Sequence, residues 1–137
     1  FDVHLPDIIE VAKVILAAGK IDFLDMSLWD SFKEPEDEAF KGCSLLSYFT
    51  ELERGDVALG IAGKLRNPDE VNRAMAAGID FIMLGRAAIL HHDFPLQMQA
   101  DQNFTPVRNP VSADYLRAEG LGEAFITYMS GWKGFVG

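Results

Sequence analysis

Cysteine is almost absent: Cys43 stands alone. A single thiol excludes an internal disulfide framework and fits a reducing compartment, so a cytoplasmic location is expected. For Cys43 itself the plain reading is a free thiol on a buried helix face. Basic residues are also few, 12 Lys+Arg against 21 Asp+Glu, for a net charge of −9. That balance argues against nucleic acid or an anionic membrane surface as the main partner. No apolar run approaches the roughly 20 residues needed to span a bilayer. No secretory leader is legible, since Asp2, His4 and Asp7 interrupt the start. Methionine is missing from the first position, so Phe1 is expected to begin a processed, truncated or excised piece. No Ser-His-Asp or Cys-His constellation is legible. His91-His92-Asp93 matches no zinc spacing, and adjacent side chains point apart, so no metal is expected there. The expected role is a histidine at a helix C-terminus, where a cation meets the negative dipole end.

What is present is a chain of 137 residues with 49% hydrophobic content, enough for a real core and about one domain. It is organised around residues 57–86. Val57–Ile61 is a short apolar run ended by Ala62, Gly63 and Lys64. Asn67–Ala77 reads as a helix, with Asn67 as N-cap, Pro68 first, and Asp69 and Glu70 in the first turn. Gly78 stops it. Asp80–Leu84 is a second buried strand, and Gly85-Arg86 opens another helix. Each of the two glycine turns carries a cation, Lys64 or Arg86. The pair suggests an anion site built from backbone N–H groups.

The flanks repeat this alternation. Pro6 and Asp7 open a helix whose apolar positions Ile8, Ile9, Val11, Ala12, Ile15 and Leu16 recur at helical spacing. Ile21–Met26 is a strand, with Ser27 at its C-terminal end. Residues 28–42 form a polar loop whose run from Glu34 to Glu38 is a solvated face. Trp29 and Phe32 in that loop either cover a ligand or pack on the neighbouring loop. Ser44–Leu52 is a helix, and Arg54-Gly55-Asp56 is a turn. Arg86–Leu90 and Pro95–Asp101 are short helices, and Asn103–Val111 is irregular. Ser112 caps a helix through Arg117. In the last helix, 122–130, Phe125, Ile126 and Met129 share a face. Trp132, Phe135 and Val136 are expected to dock on the body.

Strands alternating with helices predict an α/β fold with parallel strands, covered on both faces because the strands are nearly continuously apolar. Only three strands are legible. Such a sheet has two open edges and cannot close a barrel, so the chain is expected to need a missing part or a partner. In eight-stranded α/β barrels a phosphate site after the last two strands is recurrent, and Ser27 would sit on the same functional rim.

These residues together resemble the old yellow enzyme family, the NADH:flavin oxidoreductases. The resemblance runs over nearly the whole chain and matches about the last three strands of that TIM barrel. It is carried by Ile21-Asp-Phe-Leu-Asp-Met-Ser27, Leu59-Gly-Ile-Ala-Gly-Lys64 and Asp80-Phe-Ile-Met-Leu-Gly-Arg-Ala-Ala-Ile89 with His91-His-Asp-Phe-Pro95. The segments Tyr115–Phe125 and Tyr128–Trp132 look like one branch of the family. The resemblance implies residues 1–111 as C-terminal βα units of an FMN-binding (β/α)8 barrel and 112–137 as a helical tail packing on it. It implies noncovalent FMN, reduced by NAD(P)H, with an activated alkene or related small molecule as acceptor. Ser27, Gly63, Gly85 and Arg86 fall where the family holds the FMN phosphate and ribityl chain, flanked by Ala62 and Lys64. The family's substrate-anchoring His-His or His-Asn pair, proton-donating tyrosine and flavin-facing arginine lie in earlier strands, outside this chain. The chain alone is therefore expected to be an inactive part of an oxidoreductase, homo-oligomeric or associated with the missing barrel. Two alternatives stand beside it. One is another flavin or sugar-phosphate barrel using the same phosphate corner. The other is a non-catalytic half-barrel that assembles through its sheet edges.

Overall fold

The computed structural model describes residues 4–137 and is a mixed α/β structure. Its described residues hold seven α-helices and one three-stranded parallel sheet. The order is α1 (Leu5–Ala17), β1 (Phe23–Ser27), α2 (Leu45–Thr50), β2 (Ala58–Ala62), α3 (Pro68–Ala76), β3 (Phe81–Ile82), α4 (Arg86–Leu90), α5 (Phe94–Ala100), α6 (Ala113–Ala118) and α7 (Glu123–Ser130). A 3-10 turn at Glu38–Phe40 interrupts the long loop. None of these helices is long and apolar enough to cross a membrane. The chain divides into two compact units. One runs to Leu65 and takes in Glu70–Met83; the other is Arg66–Asp69 with Leu84–Gly137.

In the first unit the sheet order is β1-β2-β3, so β2 is central. Register pairs Phe23 with Ala58, Ser27 with Ala62, and Gly60 with Phe81. β3 is shorter than its sequence suggests, but the pairing continues at both ends. Asp80 N–H donates to the Leu59 carbonyl and Met83 N–H to Ile61, both at 2.9 Å. Period-2 alternation sends Leu24, Met26, Leu59 and Ile61 to one face. Leu59 and Ile61 are 0% exposed there, and Ala12, Leu16, Leu46, Phe49, Val71 and Ala74 from the helices are buried with them. Full burial of one such aliphatic side chain stabilises the fold by about 1.5–3 kcal/mol.

The opposite face departs from expectation. Phe23, Asp25 and Ser27 are exposed, because no second layer covers that side among the described residues. Helix α1 departs likewise: Ala12 and Leu16 are buried, whereas Ile8, Val11 and Ile15 remain exposed. Cys43 is exposed and precedes α2, so it is not a buried helix-face thiol. His4 is the N-cap residue of α1, and its backbone N–H donates to Asp7 Oδ2 at 3.4 Å. Ser44, read as the first residue of its helix, is the N-cap of α2, its side chain accepting the Ser47 N–H.

The second unit has its own core of Leu90, Val111, Leu116, Ile126, Met129 and Phe135. The end of the chain docks within it: Phe135 is buried, and Val136 bridges to Val111. Ser112 caps α6 through the Tyr115 N–H. Phe125 is not on the buried face of α7. It precedes Ile126 by one residue, about 100° around the helix, and packs on Tyr128 with ring centroids 5.8 Å apart.

One contact across the open sheet face sets a residue choice. A Cβ at Gly60 would lie 2.1 Å from the Phe81 ring, which also meets Phe23 edge-on at 5.7 Å. Gly60→Ala should therefore cost about 1–3 kcal/mol by overpacking in denaturant unfolding. In a Phe81→Ala background the same change should become neutral or stabilising, since glycine within a strand costs about 0.5–1 kcal/mol.

Candidate functional site

The two glycine turns belong one to each unit. In the first unit Ser27 ends β1 with an exposed side chain that has no hydrogen bond among the described residues. Ala62 ends β2, and its carbonyl accepts the Leu28 N–H at 2.7 Å. The Gly63 carbonyl accepts twice from Ser31, from the N–H at 3.2 Å and from Oγ at 2.8 Å. The loop after β1 thus folds back over the end of β2. A Cβ at Gly63 would stand 2.1 Å from the Leu28 carbonyl oxygen and 2.7 Å from Ser31 Oγ. Gly63 is required by the chain's own loop, whatever else its backbone meets.

Lys64 flanks the Gly63 turn. It takes a left-handed φ of 52° and places Nζ 3.1 Å from Asp30 Oδ2. Burial alone would raise the Asp30 carboxyl. The Lys64 contact and the Phe32 N–H outweigh it and hold the group below its ordinary value. Phe32 packs under the Arg73 guanidinium at 4.1 Å, a cation–π contact, whereas Trp29 is 81% exposed. The Gly63 and Lys64 amides donate to no acceptor among the described residues.

In the second unit Gly85 is the N-cap of α4, and a Cβ there would meet nothing within 4 Å. No internal contact demands a glycine at that position. Arg86 is exposed, and its guanidinium has no ion pair or hydrogen bond among the described residues. The Gly85 and Arg86 amides are also without acceptors there. These groups can hold an anion through neutral N–H dipoles and one unneutralised cation.

His91 is the C-cap residue of α4, at a helix C-terminus as expected, and its backbone N–H donates to the Ala87 carbonyl. His91 is buried, and its Nε2 accepts the Val107 N–H at 2.9 Å, which only an unprotonated nitrogen can do. It fixes the irregular segment after α5. His92 Nδ1 lies 2.8 Å from Glu119 Oε2, and the His92 N–H donates to the same oxygen at 2.9 Å. Asp93 is near enough that the three groups form a cluster. Sequence reading missed this cluster because Glu119 is distant along the chain. It also missed Ser31, which is 0% exposed. A lone loop serine carries no signal of that burial. Asp80 is exposed and structural: its carboxylate accepts the Leu59 N–H at 2.7 Å and pairs with Arg54, which also donates to the Val57 and Gly78 carbonyls. Those contacts hold it below its ordinary value.

No family model, curated protein or solved structure matches this chain.

Gly63→Ala should destabilise the ligand-free chain by about 1–3 kcal/mol through the clash with backbone, measured by chemical unfolding; unchanged stability would contradict the Leu28 contact. The His92–Glu119 pair gives a pH dependence. The Glu119 hydrogen bond raises the His92 imidazole above its ordinary value. Burial would raise Glu119, but the His92 contacts dominate and lower it. The raised imidazole stabilises fully below its unfolded value and loses this as pH rises through the folded one. The lowered carboxyl loses its part as pH falls through its folded value. The thermal midpoint of the native chain should therefore exceed that of His92→Phe in mildly acidic buffer, with the gap closing toward both extremes.

Proposed function

We propose that this chain is the C-terminal part of an FMN-dependent NAD(P)H oxidoreductase of the ene-reductase type, built as a (β/α)8 barrel. The reading rests on the resemblance in residues 21–27, 59–64 and 80–95. The single structural observation that supports it most is Arg86, an unpaired guanidinium that opens α4 after a glycine with no internal steric duty. Each unit by itself offers donors that suit a phosphate: the Gly63 and Lys64 amides and the Ser27 hydroxyl in the first, the Gly85 and Arg86 amides and an unpaired guanidinium in the second. In a chain of net charge −9, only such local donors could hold an anion.

Bound FMN would supply the hydride chemistry, from NAD(P)H to a small-molecule acceptor. This chain's residues bind and orient. Arg86 gives charge-assisted hydrogen bonds to the phosphate, the glycine turns donate backbone N–H, and Ser27 donates from the end of β1. Ala62 and Lys64 flank the Gly63 turn, with Lys64 Nζ 3.1 Å from Asp30 Oδ2. No residue here is assigned to the reacting end, so the chain alone is an inactive reductase. Its partners are the flavin, the acceptor, and either the remaining barrel segments or further copies of itself. The half-barrel alternative is favoured by one observation, the open edge of β1.

A protein carrying these elements in a complete barrel should purify yellow with noncovalent FMN. Absence of flavin, even after FMN is added, would refute the proposal. In that protein Arg86→Ala should weaken FMN binding by about 1.5–3 kcal/mol, the loss of a hydrogen bond to a charged group. An unchanged dissociation constant removes Arg86 from the site. Arg86 is a cleaner probe than Gly63, whose substitution disturbs the fold by itself.

A further inference from the structure

Three ligating side chains converge away from the glycine turns. One ligand atom from each of His92, Asp93 and Glu119 lies within 4.8 Å of the other two. All three residues belong to the second unit, and none is on the sheet or its edges. Adjacent side chains diverge along a regular helix or strand. His92 and Asp93 escape that rule because they stand at a bend: His91 is the C-cap of α4, and Asp93 is the N-cap of α5.

The two carboxylates are held in place. An aspartate at an N-cap ordinarily accepts a backbone N–H of the first turn. Asp93 does not cap its helix; its Oδ1 accepts from Gln97 Nε2 at 2.6 Å. Glu119 is the C-cap residue of α6, and its side chain is only 14% exposed. Its Oε2 accepts the His92 N–H at 2.9 Å and lies 2.8 Å from His92 Nδ1. Hydrogen bonds from Gln97 to one carboxylate and from the His92 main chain to the other are the kind of outer contact that orients metal ligands.

The donor set selects the ion. Two carboxylates neutralise a dication, and an imidazole nitrogen favours zinc and its neighbours over magnesium or calcium. Three protein ligands leave the fourth tetrahedral position to water.

We propose that His92 Nδ1, Asp93 and Glu119 bind a divalent transition-metal ion of the zinc class, which clips the end of α6 to the bend between α4 and α5. On binding, the Nδ1–H bond breaks, its proton leaves to solvent and the nitrogen lone pair goes to the ion. The ion takes the place of the hydrogen bond between Nδ1 and Glu119, and the His92 ring, 64% exposed, has room to turn toward it. The site uses no residue assigned to the flavin, and loss of either reading leaves the other standing.

The test uses the full chain, stripped of metal with a chelator and carrying Cys43→Ser so that the exposed thiol is no competing ligand. The probe is zinc chloride alone, followed by titration calorimetry. One zinc ion per chain should bind saturably, and a large excess of magnesium should not displace it. Asp93→Asn and Glu119→Gln keep the side-chain shapes and should each weaken zinc by roughly tenfold or more, since even outer-contact losses cost about that much. His4→Ala, outside the cluster, should leave the affinity unchanged. Zinc should raise the thermal midpoint of the parent and much less that of the two carboxamide variants. Circular dichroism confirms that each variant is folded; if one is not, the other and the magnesium competition decide. Absence of saturable binding, displacement by magnesium, or an unchanged zinc affinity in either folded carboxamide variant would overturn the proposal.

Discussion

Strand β2 is hydrogen-bonded along both edges, and the register of β1 and β3 depends on it. Its own composition makes this possible. Leu59 and Ile61 fill the helix-covered face, while Ala58, Gly60 and Ala62 keep the other face low. Gly60 yields its space to the Phe81 ring, which reaches across to Phe23. At the end of the strand, Gly63 yields its space to the Leu28 carbonyl. Both glycines are occupied by neighbours from adjacent strands, so β2 is shaped by close approach on each side.

The same economy governs the polar groups around the sheet. Asp80 completes the hydrogen bonding of Leu59, and Arg54 ties that carboxylate to the turns at Val57 and Gly78. Ser31 is buried because its N–H and hydroxyl share the Gly63 carbonyl, and its own carbonyl accepts from Leu46. These contacts carry the loop after β1 back to α2. They hold the Gly63 and Lys64 turn in place, whereas the Ser27 hydroxyl and the Arg86 guanidinium have no partner among the described residues. Residues without an internal task are where a ligand explanation has most to offer, which is why Arg86 weighs more than Gly63 in the functional reading.

The sheet's other face exposes Phe23, Asp25 and Ser27 among the described residues. Exposed Phe23, Ile8, Val11 and Trp29 are unusual for a surface that has nothing to bind, because contiguous apolar area in water is unfavourable. An α/β sheet normally buries both faces and both edges.

Much of the element order was readable from the sequence because it depends on local chemistry. The α/β alternation follows from the spacing of apolar residues, and the start of α2 and α6 from Ser44 and Ser112 as caps. Gly78, at a φ of 100°, stops α3 where a side chain would be strained. Ser27 could be placed at the end of β1 for the same reason, and Gly85 and Arg86 at the start of α4, with Met83 and Leu84 between them and β3. Other features required the tertiary structure, because they join residues far apart in the chain. The Lys64–Asp30 pair, the acceptance of Val107 by His91, the His92–Glu119 contact and the burial of Ser31 have no local signature. Exposure was the least legible property: Cys43, Phe125, Phe23 and the α1 face all have buried-looking periodicity. The sequence determined which side of each element is apolar; only the tertiary structure decided which of those sides meets another element, since burial depends on what lies opposite.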